Sequence, residues 1–298
     1  MSSPSPLRTC PKRRPRYAAP PLINARLSLA AALAHLLLGV GPCPAQSSYD
    51  LLGTARADAL GQATTARPAA IGVQANPAAR AALDRPTAVF YARQGFGLAA
   101  LRYGAAHVAL PSRWGTASGG ASTFGTDGYR EVHLSAGYAR GVQLGTARRF
   151  RGGTTLRYHH TSITGYGGAG ALALNLGLGV AVLRSLHLGV VATNVNGATL
   201  VDEVPIPRTL AVGLYYRALR DVSVLVDVFK DVRFPATVRG GLEVRPVSPL
   251  FLRIGVSTVP VRFSGGAGVR LGPLSAQVAA EQHEALGWSP SASLRVRW

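Results

Sequence analysis

From residue 86 onward the chain alternates apolar with small or polar side chains, a two-residue period held over runs of ten residues and more. Val222, Val224, Val226 and Val228 alternate with Ser223, Leu225, Asp227 and Phe229. Leu250, Leu252, Ile254 and Val256 alternate with Phe251, Arg253, Gly255 and Ser257. Val238, Leu242 and Val244 do so with Thr237, Arg239, Gly241, Glu243 and Arg245. Successive side chains of a strand point to opposite faces, so each run is a strand with one apolar face. A soluble sandwich shows the same alternation, and length separates the two. Soluble strands average about 5–6 residues, whereas tilted membrane-spanning strands need about 9–11.

Clusters of Gly, Pro, Asn and Asp divide the chain into fourteen such strands. They lie near 86–94, 97–110, 115–125, 129–142, 151–163, 170–183, 186–194, 208–218, 221–230, 235–245, 249–258, 262–271, 274–284 and 288–298. An even number suits a closed bacterial barrel, and closure is required because hydrocarbon cannot hydrogen-bond an open sheet edge. No apolar run past residue 50 reaches the roughly 18 residues of a spanning helix, which excludes a helical membrane protein. The 35 glycines, spread evenly, also disfavour long helices. The expected fold is all-β: a transmembrane antiparallel β-barrel of about fourteen strands over 86–298, preceded by a plug segment over 46–85.

Residues 1–45 read as a signal peptide. Arg8, Lys12, Arg13, Arg14, Arg16 and Arg26 precede an apolar stretch from Leu27 to Val40, and Gly41, Pro42, Cys43, Pro44 and Ala45 follow. Removing this segment leaves 26 basic and 13 acidic side chains, a net charge of +13. It also removes Cys10 and Cys43, the only cysteines, so the exported chain is held without disulfides. The remaining arginines are scattered singly at strand spacing, without a basic helix or aromatic platform, which argues against nucleic acid as a partner. The expected location is the outer membrane of a Gram-negative bacterium, with its lipid and its assembly machinery as partners.

The last strand ends Ser293-Leu294-Arg295-Val296-Arg297-Trp298. Leu294, Val296 and Trp298 form a lipid-facing stripe ending in an interfacial aromatic, and they are the expected assembly signal. If that strand ends in the periplasm, the turns at Gly272–Pro273, Leu219–Arg220 and Leu183–Ser185 are periplasmic and tight. Asn194–Pro207, Ser162–Gly168 and His283–Ser289 are then the longer external connections, with Gly141–Arg151 as a long basic exception on the periplasmic side.

On the off-face of the strands stand Glu131, Arg157, Asp227, Arg239, Glu243, Arg253, Arg270 and Glu281. Charge on the lipid face costs about 2–4 kcal/mol at the midplane, so these are lumen-facing positions. An ion-pair lattice filling the barrel is favoured over a selectivity lining. His133, His159 and His160 lie near Glu131 and Ser162, but no acid is spaced to orient a histidine beside the serine. His159 and His160 are adjacent and face opposite sides, which makes a poor metal site. No catalytic, cofactor-binding or metal-ligating residue is assigned, and the chain is not read as an enzyme. Asn76-Pro77 favours an extended or turn geometry and is the expected hinge between plug and first strand.

Arg56, Ala57, Leu60, Gly61 and Ala63, then Ala75-Asn76-Pro77-Ala78, resemble the start of the PorV/PorQ family, relatives of the FadL channels. Asp227 to Lys230, Gly241-Leu242-Glu243, Leu252-Arg253-Ile254-Gly255 and His283-Glu284-Ala285-Leu286-Gly287 carry the resemblance through to residue 298. Leu60-Gly61-Gln62 departs from that family's methionine-glycine-glycine. The resemblance implies a fourteen-stranded barrel and one of two activities. PorV-type proteins shuttle type IX secretion cargo to a surface attachment complex, with cargo and attachment-complex proteins as partners. FadL-type proteins pass hydrophobic small molecules through a lateral opening in the wall, for which the pairs Gly119-Gly120 and Gly265-Gly266 are candidate sites. Protein export is the leading expectation and transport the alternative.

Overall fold

The computed structural model describes residues 51–298 apart from 145–147 and 201–203; the expected signal peptide and residues 46–50 lie outside the described residues. Fourteen strands form a closed antiparallel barrel. They are β1 (Thr87–Gln94), β2 (Arg102–Ser112), β3 (Gly115–Gly125), β4 (Tyr129–Leu144), β5 (Arg148–Ile163), β6 (Gly167–Ala181) and β7 (Leu186–Thr193). The circuit continues with β8 (Thr209–Leu219), β9 (Val222–Asp231), β10 (Thr237–Val244), β11 (Leu250–Thr258), β12 (Val261–Leu271), β13 (Leu274–His283) and β14 (Gly287–Arg297). Each strand pairs with its neighbours in sequence, and β1 closes the ring on β14, with Phe90 opposite Leu294 and Ala88 opposite Val296.

The alternation sorts inside from outside. Val226, Val228, Leu252, Ile254, Leu178 and Leu294 face outward and are exposed, while Asp227, Arg239, Glu243 and Arg253 face inward and are buried. A polar interior inside an apolar exterior inverts a soluble protein, and lipid is the solvent that stabilises it. The three tryptophans, Trp114, Trp288 and Trp298, are exposed at strand ends, where the aromatic girdles of a spanning barrel lie. We call the mouth where β1 begins and β14 ends the terminal mouth, and the other the distal mouth.

Three expectations need correction. Residues 97–101 are not strand: Phe96 (φ 51°) and Gly97 (φ 71°) take left-handed backbone, and 3-10 turns at Gly95–Gly97 and Ala99–Leu101 follow. The supposed long basic turn Gly141–Arg151 is ladder, because Gly141 pairs with Arg151 and the register continues to Leu144 opposite Arg148. At the distal mouth the connection from β7 to β8 is the longest, while those after β5 and β13 are three-residue turns.

Residues 51–85 fill the barrel. Helix α1 (Ala55–Ala59) is capped by Thr54, whose hydroxyl oxygen accepts from the Ala57 N–H at 3.2 Å. Five residues cannot hold a helix alone, so the surrounding wall fixes it. A 3-10 turn spans Pro77–Ala82. Alanine dominates this segment, and Ala55, Ala59, Leu60, Ala63, Ile71, Val73 and Ala78 are buried between it and the strands.

Candidate functional site: the plug against the barrel wall

Small side chains on the plug and glycines on the inner wall let two backbones approach closely. A Cβ added at Gly177 would sit 2.1 Å from Asn76 Oδ1, and one at Gly255 would sit 2.1 Å from the Gly61 nitrogen. At Gly189 it would sit 2.5 Å from the Thr65 carbonyl oxygen, and at Gly153 2.6 Å from the Pro77 carbonyl carbon. No other residue fits these places, because protein interiors leave no slack of that size.

Charge then fastens the segment. Glu243 on β10 gathers three guanidinium groups: Arg56 of the plug donates from Nε at 2.8 Å and also from Nη2, Arg253 of β11 donates from Nε at 2.6 Å, and Arg67 of the plug stands at 3.5 Å. Asp58 of α1 is fully buried and accepts from the Tyr91 hydroxyl at 2.6 Å and from Gln62 at 2.7 Å. Arg93 links it to the wall, 3.5 Å from Asp58 and donating to Glu281 at 2.8 Å. Asp227 accepts the Thr65 N–H at 2.9 Å. Arg157 donates to the Val73 carbonyl, and Arg239 lies 3.9 Å over the Phe229 ring. Arg270 is half-buried, 5.0 Å from the Phe251 ring. Glu131 accepts the Tyr129 hydroxyl at 2.6 Å.

Asn76 of the plug was legible only in part, and Arg80 was missed. Asn76 accepts the Ala78 N–H at 3.0 Å, the local turn that its place before a proline suggests. It also donates to the carbonyls of Thr65 (2.8 Å), Leu178 (3.2 Å) and Val190 (3.3 Å), stapling the plug to β6 and β7. Arg80 is fully buried and donates to Thr155 at 2.8 Å and Ser118 at 3.1 Å. Burial, with Arg157 nearby, pushes its guanidinium down to about 10, so it remains a cation at neutral pH. Charges standing in a run of small residues were the one sequence signal for Arg56, Asp58 and Arg80. Nothing local indicated their partners.

The histidines are nearer to a serine and an acid than their sequence positions suggest. His133 lies opposite His159 with ring centroids 4.5 Å apart, its Nδ1 is 3.4 Å from Ser122 Oγ, and its Nε2 is 3.7 Å from Glu131. The order of groups is that of a nucleophile, a base and an orienting acid. All are buried under plug and wall, which leaves no room at Ser122 for a substrate. His160 points away from them and stacks on Tyr158.

Close packing narrows the lumen where these plug residues meet the wall. The void beside Leu52, Gln62, Asn76, Thr209 and Arg239 measures about 30 Å³, the share of one water. The glycine pairs expected as wall defects, Gly119-Gly120 and Gly265-Gly266, sit in unbroken ladders. The wall is discontinuous elsewhere. β7 pairs with β6 only from Leu176 to Ala181, so β6 from Gly167 to Asn175 has no strand on that side. Loop groups stand in: Asn196 Oδ1 accepts the Leu174 N–H and its Nδ2 donates to the Leu172 carbonyl, both at 2.9 Å, and Val195 donates to the Leu174 carbonyl at 2.9 Å. Asn194 (φ 48°) organises that loop by bonding Ala198 and Ile206.

No family model matches the chain, and no curated protein matches it. Solved structures do. The toluene transporter TodX of Pseudomonas putida is 12% identical with a TM-score of 0.57, over 84% of this chain and 98% of that one. The toluene transporter TbuX of Ralstonia pickettii is 12% identical with a TM-score of 0.57, over 83% and 99%. A FadL homologue of Pseudomonas aeruginosa is 12% identical with a TM-score of 0.52, over 83% and 98%. At such identity the likeness is one of fold, and it points to FadL-type channels rather than to PorV or PorQ in particular. A closed fourteen-stranded barrel, apolar outside and filled inside by its own amino-terminal segment, has the fold of the FadL-like outer-membrane channels.

Proposed function

We propose that this barrel passes small hydrophobic molecules across the outer membrane of a Gram-negative bacterium. The observation that carries the reading is the seam beside β6. A filled lumen bars the axial route, and a wall whose ladder stops at Leu176 gives way most easily where side chains replace strand bonds. Fold likeness to transporters of toluene supports monoaromatic hydrocarbons as the compounds to try first. The cargo-shuttle reading rests on the sequence resemblance alone.

The barrel residues contain no cysteine, so Leu172→Cys combined with Asn196→Cys introduces a single pair. Cells producing this variant should take up radiolabelled toluene severalfold more slowly when oxidised and recover with reductant. Equal uptake with and without the barrel would refute transport, and unchanged uptake with the cross-link verified would refute the seam. A surface protein retained by the intact barrel and lost on deleting residues 198–204, without any toluene uptake, would restore the shuttle.

A further inference from the structure

At the terminal mouth a cavity of about 650 Å³ opens between β4, β5, β6 and β7. Its shape follows from the register. One inward row runs Arg151, Gly179, Gly189, and the next runs Gln143, Arg149, Ala181, His187. The small Ala181 leaves the space, and the longer side chains of Gln143, Arg149, Arg151 and His187 border it. Arg148 and Arg184 stand at its rim.

Every charge in this enclosure has one sign. From Val132 to Val201 the sequence contains no Asp or Glu. Among the described residues no carboxylate lies within ion-pair distance of Arg149, Arg151 or Arg184. Arg149 has only a long bond, 3.5 Å, to Gln143. Arg151 is 8% exposed, and its buried Nε has no hydrogen-bond partner. Nδ1 of buried His187 likewise has none. A buried cation with an orphaned donor is costly unless an anion fills the place.

The other arginine cluster of the lumen makes the contrast. Arg56, Arg253, Arg270 and Arg295 crowd a void of about 10 Å³ and have Glu243 among them. That group is closed and holds its own carboxylate. The β4–β7 enclosure is open, falls in the size range of small-molecule sites, and supplies forked donors suited to phosphate oxygens.

We propose that this enclosure is an anion site that takes a phosphate group, with Arg151 as its buried anchor and Arg149 and Arg184 as its outer donors. It is independent of what the barrel transports. Arg151 also borders an apolar groove of about 420 Å³ in the outer wall, lined by Val142, Phe150, Leu178, Val180 and Leu188. Phosphate can therefore arrive as a free solute or as a lipid headgroup.

The test is calorimetric titration of the full barrel, in uncharged detergent, with inorganic phosphate. Binding should saturate, and Arg151→Gln should weaken it about tenfold, as expected for losing a charged hydrogen-bond donor. Arg184→Gln, at the exposed rim, should weaken it severalfold and serves if the buried variant does not fold. Arg245→Gln, at the same mouth but paired with Asp221, should leave it unchanged. Native mass spectrometry then separates the sources. Phosphatidylglycerol retained by wild type and lost from Arg151→Gln identifies a headgroup, whereas phosphate binding without such retention identifies a solute. Absence of phosphate binding, or equal affinity in wild type, Arg151→Gln and Arg184→Gln, overturns the proposal.

Discussion

Glu243 shows at the scale of one residue how the lumen is held. It is the shared anion of Arg56, Arg67 and Arg253, two from the plug and one from the wall. Glu243→Gln keeps the shape and leaves three guanidinium groups, those of Arg56 and Arg253 buried, without their shared carboxylate. Breaking a buried pair by removing one partner costs about 3–5 kcal/mol, whereas an exposed pair is worth about 0–1 kcal/mol. Glu243→Gln should therefore lower the temperature at which the detergent-solubilised barrel unfolds by many degrees. Arg245→Ala, which breaks a pair with Asp221 that is more than a third exposed, should barely move it. Band-shift electrophoresis over a temperature series reads both. That Glu243 faces inward was legible from the alternation around it. That three arginines meet there was not, because Arg56 lies 187 residues away and nothing local encodes such a distance.

Strand β9 carries the test of face at the scale of an element. Val226 is outward and exposed, near the middle of a strand whose next residue, Asp227, is 2% exposed. Val226→Arg should cost about 2–4 kcal/mol and reduce folded barrel in membranes, while Val232→Arg, just past the strand end, should cost little. Equal yields of the two would place the belt elsewhere. Strand β14 carries a second test. Its last stripe residues, Leu294 and Val296, point outward, and the Trp298 N–H donates to the Pro86 carbonyl at 3.2 Å where the ring closes. Deleting Trp298 should lower the membrane-assembled fraction far more than Arg297→Ala, measured by fractionation; equal fractions would remove its role as an assembly signal. Elements with clean alternation, such as β9 and β11, were legible almost to the residue. The β4–β5 hairpin beyond Ala139 was not, since Gly141, Arg148, Arg149, Gly152 and Gly153 look like a basic turn. The plug could be recognised as different but not placed, because its small residues have no period and its position is set by glycines on nine strands.

Over the whole molecule, a closed ladder and an internal ion lattice should resist detergent together. The unheated protein in dodecyl sulfate should run as a compact band and shift on boiling; a single position at both temperatures, or a protein soluble without detergent, would refute the architecture. The outer surface settles the solvent and the register settles the lumen, so fold was the more legible half of the problem. The transport proposed above depends on the β6 seam, which no sequence period announces, because Asn196 bonds β6 from a loop without a repeating pattern.

The closure of β1 on β14 has a consequence in time. The plug precedes β1 in the chain, yet it is bound to β5, β6, β9 and β10 as well. The segment must already lie among the strands when the first meets the last, since a completed ring whose inner wall packs this closely on it leaves no way to thread residues 51–85 inside. Assembly is thus a one-way event with a fixed order. A barrel that closes too early is an empty ring that later equilibration cannot fill, and a finished one keeps its contents for its lifetime.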